Sequence, residues 1–321
     1  MQPASLAAIG LRIGLLALLG GCAAAVSESP DTFRNPTAAE ATTWLPEAQP
    51  DRRIRYAGDS PVQYGDLRLP AGRVPAAGHP IAVVIHGGAW QADWTSDYTG
   101  PFAEAVTAAG IATWNIEFRR LGSRGGGYPG TFTDVGLATD FLRTLAETYP
   151  LDLGRVVVVG HSSGGHLALW IAGRRNLPEG SALRGPDPLP LAGVISLAGV
   201  NDLEGALMLG NRNDVLDLIG TGTAAASARL ATTSPRRLLP LGVPQVLMVG
   251  TRDETWRIEM TRRYAAAAAE AGDEVELHIL DGANHADVVD AYGPASSMTA
   301  RAVLSLVKPE RRSRAPAAGL R

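Results

Sequence analysis

Val156-Val157-Val158-Val159-Gly160-His161-Ser162-Ser163-Gly164-Gly165-His166-Leu167-Ala168-Leu169-Trp170 reads as a strand that turns sharply into a helix. Four β-branched residues in an unbroken run predict a strand buried on both faces, and from Gly165 the pattern turns helical. Between them, Gly160-His161-Ser162-Ser163-Gly164 fits G-x-S-x-G. A strand that turns this sharply into a helix strains the backbone at its middle residue. The positions two residues away must be small, because side chains there collide across the turn. The Ser162 hydroxyl is thereby lifted to the top of a sheet, at a helix N-terminus. Ser163 is a poorer candidate, because position 161 is His rather than Gly. The bare pattern is weak in a chain with 37 glycines, so the strand before it and the helix after it carry the reading.

Working outward, similar apolar runs recur at Ile81–Ile85, Ile111–Ile116, Leu191–Leu197, Val246–Val249 and Val275–Leu280. Arg53–Tyr56 and Tyr64–Leu69 read as leading antiparallel strands. Helical spacing fills residues 100–109, 131–148, 166–174, 256–271 and 295–307, the fourth of these rich in Ala. This alternation predicts one α/β domain over residues 51–308, a mostly parallel eight-stranded sheet with helices on both faces. Crossovers are right-handed, and loops at the strand C-termini form the ligand edge.

Three of those loops carry chemistry. His86-Gly87-Gly88-Ala89-Trp90 follows the Ile81–Ile85 run, and Gly-rich backbone there can aim N–H groups at one point. The Gly88, Ala89 and Ser163 amides are the expected oxyanion donors. His86 is expected to hold the loop by hydrogen bonds, and Trp90 to wall the pocket. Asp253 follows the Val246–Val249 run, and His285 follows Val275–Leu280. Chain order is therefore Ser162, Asp253, His285, which suits a nucleophile, an acid and a base. Glu254 and Asp202 are alternatives for the acid. A neighbouring Asp253 is expected to raise the His285 pKa above its ordinary ~6.5. His278 alternates within a strand and reads as structural. His161 and His166 lack a paired carboxylate motif, so no metal site is expected. The loop Gly122–Gly130 looks too rich in Gly to be rigid, and Tyr128 within it is a second candidate pocket residue.

With these residues in view, the chain resembles α/β hydrolases of the hormone-sensitive-lipase-like, feruloyl-esterase-like and arylformamidase-like branch, over about residues 50–307. The resemblance rests on His86–Trp90, on Gly160–Ala168 and on Glu117-Phe118-Arg119-Arg120. Ala89 stands where lipase-type members often carry a third Gly. The resemblance implies the α/β-hydrolase fold and a Ser162–His285–Asp253 triad working through an acyl-enzyme, with no cofactor. It also implies a small-molecule ester or amide as substrate. Short-chain or aryl esters are the first expectation, an aryl formamide or small amide the second. A non-catalytic binding protein of this fold is a third reading. Many relatives insert a cap between positions equivalent to Leu197 and Pro244. Here that stretch is short, with small polar runs such as Gly220-Thr221-Gly222-Thr223, so a small cap or none is expected.

Composition closes off other classes. The 321 residues hold 29 basic and 32 acidic side chains, a net charge of −3, which gives no electrostatic case for nucleic acid. One Cys excludes an intrachain disulfide and a thiolate cluster. That Cys is Cys22, after an apolar run and Leu19-Gly20-Gly21. Residues 1–22 resemble a lipoprotein signal peptide, with Cys22 as the acylated residue and the membrane of a bacterial cell as its partner. Residues 23–50 read as a flexible tether and 309–321 as a basic tail.

Overall fold

The computed structural model describes residues 49–220 and 223–308, all within the unit Asn35–Arg321. The expected signal and Cys22, the basic tail and nearly all of the tether lie outside the described residues.

Eight strands form one sheet: β1 (Arg52–Arg55), β2 (Tyr64–Arg68), β3 (His79–Ile85), β4 (Ala112–Ile116), β5 (Leu151–His161), β6 (Gly193–Leu197), β7 (Gln245–Gly250) and β8 (Val275–Leu280). Their order is β1-β2-β4-β3-β5-β6-β7-β8. The first two pairings, β1 with β2 and β2 with β4, are antiparallel, and all the others are parallel. Continuous apolar runs are explained by burial on both sides. Ile81, Val83 and Ile85 enter one core layer, while Ala82 and Val84 enter the other.

The first layer is covered by α2 (Gly130–Asp140), α3 (Leu142–Thr148), α4 (Ser163–Gly173) and α8 (Thr255–Glu270), the second by α1 (Gly100–Ala108) and α9 (Pro294–Leu306). The single helix expected over 131–148 is divided at Phe141. There Trp114 Nε1 donates to the Ala138 carbonyl at 3.0 Å, which competes with the bond that carbonyl makes inside a continuous helix.

Between β6 and β7 the chain forms three short helices that the sequence pattern did not announce: α5 (Leu203–Gly210), α6 (Asp214–Ile219) and α7 (Thr223–Thr233). They make a small cap that is tied down onto α4. His166 Nε2 donates to the Thr233 carbonyl at 2.9 Å and Trp170 Nε1 to Thr232 at 2.8 Å. The strand order reverses beside β3, with β4 on one side and β5 on the other. Loops leaving the carboxyl ends of β3 and β5 meet at that switch point, where open α/β sheets place their ligands.

Candidate active site

Ser162 sits in the turn from β5 to α4 at φ 55° and ψ −122°, a left-handed conformation that costs a non-Gly residue about 1–3 kcal/mol. Local bonds hold it there. The Ser162 N–H donates to Leu197 at 2.9 Å, and its carbonyl accepts from Gly165 at 2.9 Å and Val200 at 3.2 Å. The small flanking residues are required by close approach. A Cβ on Gly160 would lie 2.0 Å from the Gly164 carbonyl oxygen, and one on Gly164 would lie 2.2 Å from that of Ile85.

The structure brings Ser162, His285 and Asp253 together from loops after β5, β8 and β7. Ser162 Oγ lies 3.0 Å from His285 Nε2, and His285 Nδ1 lies 2.8 Å from Asp253 Oδ2. A carboxylate only accepts, so Nδ1 carries the ring proton and Nε2 is left to accept from the serine hydroxyl. The other Asp253 oxygen accepts from the Glu254 N–H at 2.7 Å and from Arg257 Nε at 3.2 Å. Glu254 points to Arg257 at 2.9 Å, and Asp202 caps α5 by accepting from Glu204 N–H at 3.1 Å. Neither alternative acid is the partner of His285 Nδ1.

The expected rise in the His285 pKa is not what this environment produces. Burial and then the Arg257 guanidinium push the imidazole below its ordinary value, against the pull of Asp253. Burial alone would raise the Asp253 carboxyl. The His285 hydrogen bond and charge, followed by Arg257 and the Glu254 N–H, outweigh burial and hold it below the usual range. The pair is therefore poised as carboxylate and neutral imidazole. Arg257 is a residue that the sequence reading missed. Its signal was the spacing of four from Asp253 at the start of a helix.

The His86–Trp90 loop is built on Gly88 at φ 105°, followed by Ala89 at φ 52° and Trp90 at φ 58°. The Trp90 N–H donates to Ser163 Oγ at 3.3 Å, which ties the loop to the elbow. Gly88, Ala89, Trp90 and Ser163 all line a cavity of about 460 Å³ that also holds Ser162 and His285. Trp90 is fixed by Nε1 donation to His166 Nδ1 at 3.2 Å, with the His166 pKa lowered by burial to about 4. Beneath the loop, His86 is fully buried, 2.8 Å from the Gly87 carbonyl and 3.0 Å from Glu117 Oε1. Glu117 also accepts from the Ser96 N–H at 3.0 Å and lies 3.2 Å from Arg120, so one buried carboxylate organises the loop's support.

Tyr128 is placed elsewhere. It is half-buried, packs on Phe132 and carries the Arg229 guanidinium over its ring at 4.6 Å, and it does not line the cavity. Nor is its loop loose. The Tyr128 N–H donates to Leu218 at 2.7 Å and the Gly127 N–H to Thr131 Oγ1 at 3.0 Å. His278 sits partly exposed on β8, 3.6 Å from Glu276. Among the described residues, no group of three or more His, Cys, Asp or Glu is gathered as metal ligands.

The sequence matches the BD-FAE family over residues 66–267. The chain belongs to the BD-FAE family. No curated protein matches it. Among solved structures, this BD-FAE chain is similar to esterase B from Lactobacillus rhamnosis in an inhibited form. Identity is 19%, the match covers 86% of this chain and 94% of that one, and the TM-score is 0.72. A bacterial heroin esterase matches at 23% identity, 81% and 83% coverage and TM-score 0.60. The esterase Est2 of Thermogutta terrifontis matches at 21% identity, 85% and 98% coverage and TM-score 0.65. These likenesses establish the α/β-hydrolase fold for the BD-FAE chain.

Proposed function

We propose that the chain is a serine hydrolase cleaving carboxylic esters with short acyl or aryl groups. The observation that carries this is the unbroken hydrogen-bond line from Ser162 through His285 to Asp253, with Ser162 and His285 lining a cavity. Membership of the BD-FAE family supports it, and so do structural neighbours that are themselves named esterases. Cavity walls made by Trp90, Trp94, Val200, Val289 and Tyr292 suit a flat or short apolar group.

In the proposed reaction, Ser162 Oγ bonds to the ester carbonyl carbon as its proton moves to His285 Nε2. Asp253 stabilises the imidazolium and fixes the ring. The Gly88, Ala89 and Ser163 amides receive the oxyanion. Collapse breaks the carbon–oxygen bond to the alcohol, which takes the proton from His285. Water then attacks the acyl carbon and gives its proton to His285; the bond from that carbon to Ser162 Oγ breaks, Oγ takes the proton back from His285, and the acid leaves. Every step uses groups of the chain and water.

Purified protein is assayed on p-nitrophenyl esters of increasing acyl length and on an aryl formamide. Turnover highest on the shortest esters, lowered roughly 10³–10⁶-fold by Ser162→Ala, is the expected result. Preference for the formamide contradicts the ester reading, and wild-type turnover in Ser162→Ala contradicts the mechanism.

A separate proposal concerns location. Leu19-Gly20-Gly21-Cys22 after an apolar run supports export and acylation at Cys22, which would hold the enzyme at a bacterial membrane. Labelled fatty acid incorporated by the wild type and not by Cys22→Ala is expected. An unlabelled wild type removes the anchor.

A further inference from the structure

Tyr98 and His161 take no part in the proton path from Ser162 to Asp253, yet both are buried and both line the same cavity. Their hydrogen bonds form one series. The Gly87 N–H donates to the Tyr98 hydroxyl, whose oxygen lies 3.0 Å from His161 Nδ1. On the other side of the ring, His161 Nε2 lies 2.9 Å from the backbone carbonyl of His285.

The direction of every proton follows from the chemistry of the ends. A carbonyl can only accept, so His161 Nε2 carries a proton. In a neutral ring Nδ1 is then an acceptor, and the Tyr98 O–H must point at it. The Tyr98 oxygen is left to accept from Gly87. Geometry closes the same gap, since a Cβ on Gly87 would lie 2.9 Å from the Tyr98 hydroxyl and 2.8 Å from Ser162 Cβ.

Resting on the ester-hydrolase reading above, we propose that Tyr98 and His161 are positioning residues for that reaction. One fixed chain of hydrogen bonds runs from the Gly87 amide through both side chains to the His285 carbonyl. It holds the oxyanion loop, the elbow and the base loop in a single register. The series joins three loops that carry separate parts of the chemistry and that meet nowhere in sequence. It also keeps charge away from the base. The His161 and His285 ring centroids are 4.8 Å apart, and a cationic His161 would oppose the imidazolium that forms during attack. Burial and the neighbouring His285 lower the His161 pKa to about 3, so that ring stays neutral while His285 cycles.

Two measurements on the full chain test this. Ring ¹⁵N spectra of histidine-labelled protein at neutral pH read the tautomer without any substrate. A protonated Nε2 and bare Nδ1 on His161, assigned by its loss in His161→Gln, are expected. A protonated Nδ1 overturns the proposal. The second measurement is kinetic, with p-nitrophenyl acetate and with active sites counted by fluorophosphonate titration. Tyr98→Phe should lower kcat per titrated site by about 10–100-fold and leave KM within about threefold, the scale expected for small misplacement of reacting groups. His161→Gln, which keeps a donor for the His285 carbonyl, should retain more kcat than His161→Leu. Where His161→Leu does not fold, Tyr98→Phe and the tautomer decide. A Tyr98→Phe protein with fewer titratable sites but wild-type kcat at each has lost only stability, and the proposal fails. A wild type with no Ser162-dependent turnover instead removes the ester-hydrolase reading and the catalytic role with it, whichever tautomer is found.

Discussion

Asp253 divides its two carboxylate oxygens between partners with opposite effects on His285. Oδ2 takes the imidazole proton, while Oδ1 is held by Arg257 and by the next residue's N–H. Arg257 is buried and fully engaged, with its remaining nitrogens on Ala198 and Glu254 at 3.2 and 2.9 Å. Its charge helps to fix Asp253 but opposes protonation of His285. The proposed reaction needs neutral His285, and a lowered pKa keeps it neutral further into acid. The acid limb of kcat/KM should therefore lie below the ordinary histidine value of ~6.5. In Arg257→Gln that limb should move to higher pH. The plateau should fall about tenfold or more, as a lost charge-assisted hydrogen bond of ~1.5–3 kcal/mol implies. A pH–rate profile of both proteins checks this, and an acid limb that stays in place in Arg257→Gln contradicts the assignment. Asp253→Asn should cost roughly 10⁴ in kcat, because the amide favours the wrong tautomer. Equal kcat in the two proteins would move the acid elsewhere.

The His86–Trp90 loop, proposed to receive the oxyanion, shows how an element is fixed by what it cannot hold. At Gly88, φ is +105°, and a Cβ there would meet Trp94 at 2.2 Å. Gly88→Ala should therefore displace the loop and lower kcat by about 10²–10³-fold, as loss of an oxyanion donor does. Unchanged labelling of Ser162 by a fluorophosphonate, together with wild-type kcat, would show that the loop is not used in this way. Elements differ in how far sequence exposes them. The inner strands were most legible because a parallel sheet under two helical layers buries both faces, as at β3, β6 and β7. The helices of 203–233 were not, because Leu203–Gly210 and Asp214–Ile219 are only 8 and 6 residues long, too short to show a helical period, and Leu230 is the one large apolar residue of Thr223–Thr233. Tyr128 was misplaced for a related reason. An aromatic in a Gly-rich loop does not encode its neighbour, and here the neighbours are Phe132 and Arg229.

At the scale of the molecule, the loops that bring Ser162, Asp253 and His285 together were readable because each follows a strand that the pattern reveals. What joins those loops was not readable, since Tyr98 meets His161 across 63 positions and His161 meets the His285 carbonyl across 124. The same buried histidines set how the protein answers to acid. His161, His166 and His285 are all held neutral in the fold, the first two with pKa values lowered to about 3 and about 4. Unfolded, each binds a proton near ~6.5, so between these limits the unfolded chain binds more protons. Their contribution to stability is present above ~6.5 and is lost as pH falls toward 3–4. Asp253 and Glu117, both held below their ordinary pKa, act in the same sense. Tm should therefore fall steadily from pH 7 to pH 4, and His166→Gln should flatten that slope. A Tm constant across that range contradicts the buried-neutral assignment. Covalent catalysis by Ser162 is tested by acid-quenched p-nitrophenyl acetate reactions followed by peptide mass mapping. A burst of one nitrophenol per active chain and one acetyl group on the peptide holding Ser162 are expected, both absent in Ser162→Ala. Turnover with no adduct, or an adduct on another residue that persists in Ser162→Ala, would contradict it.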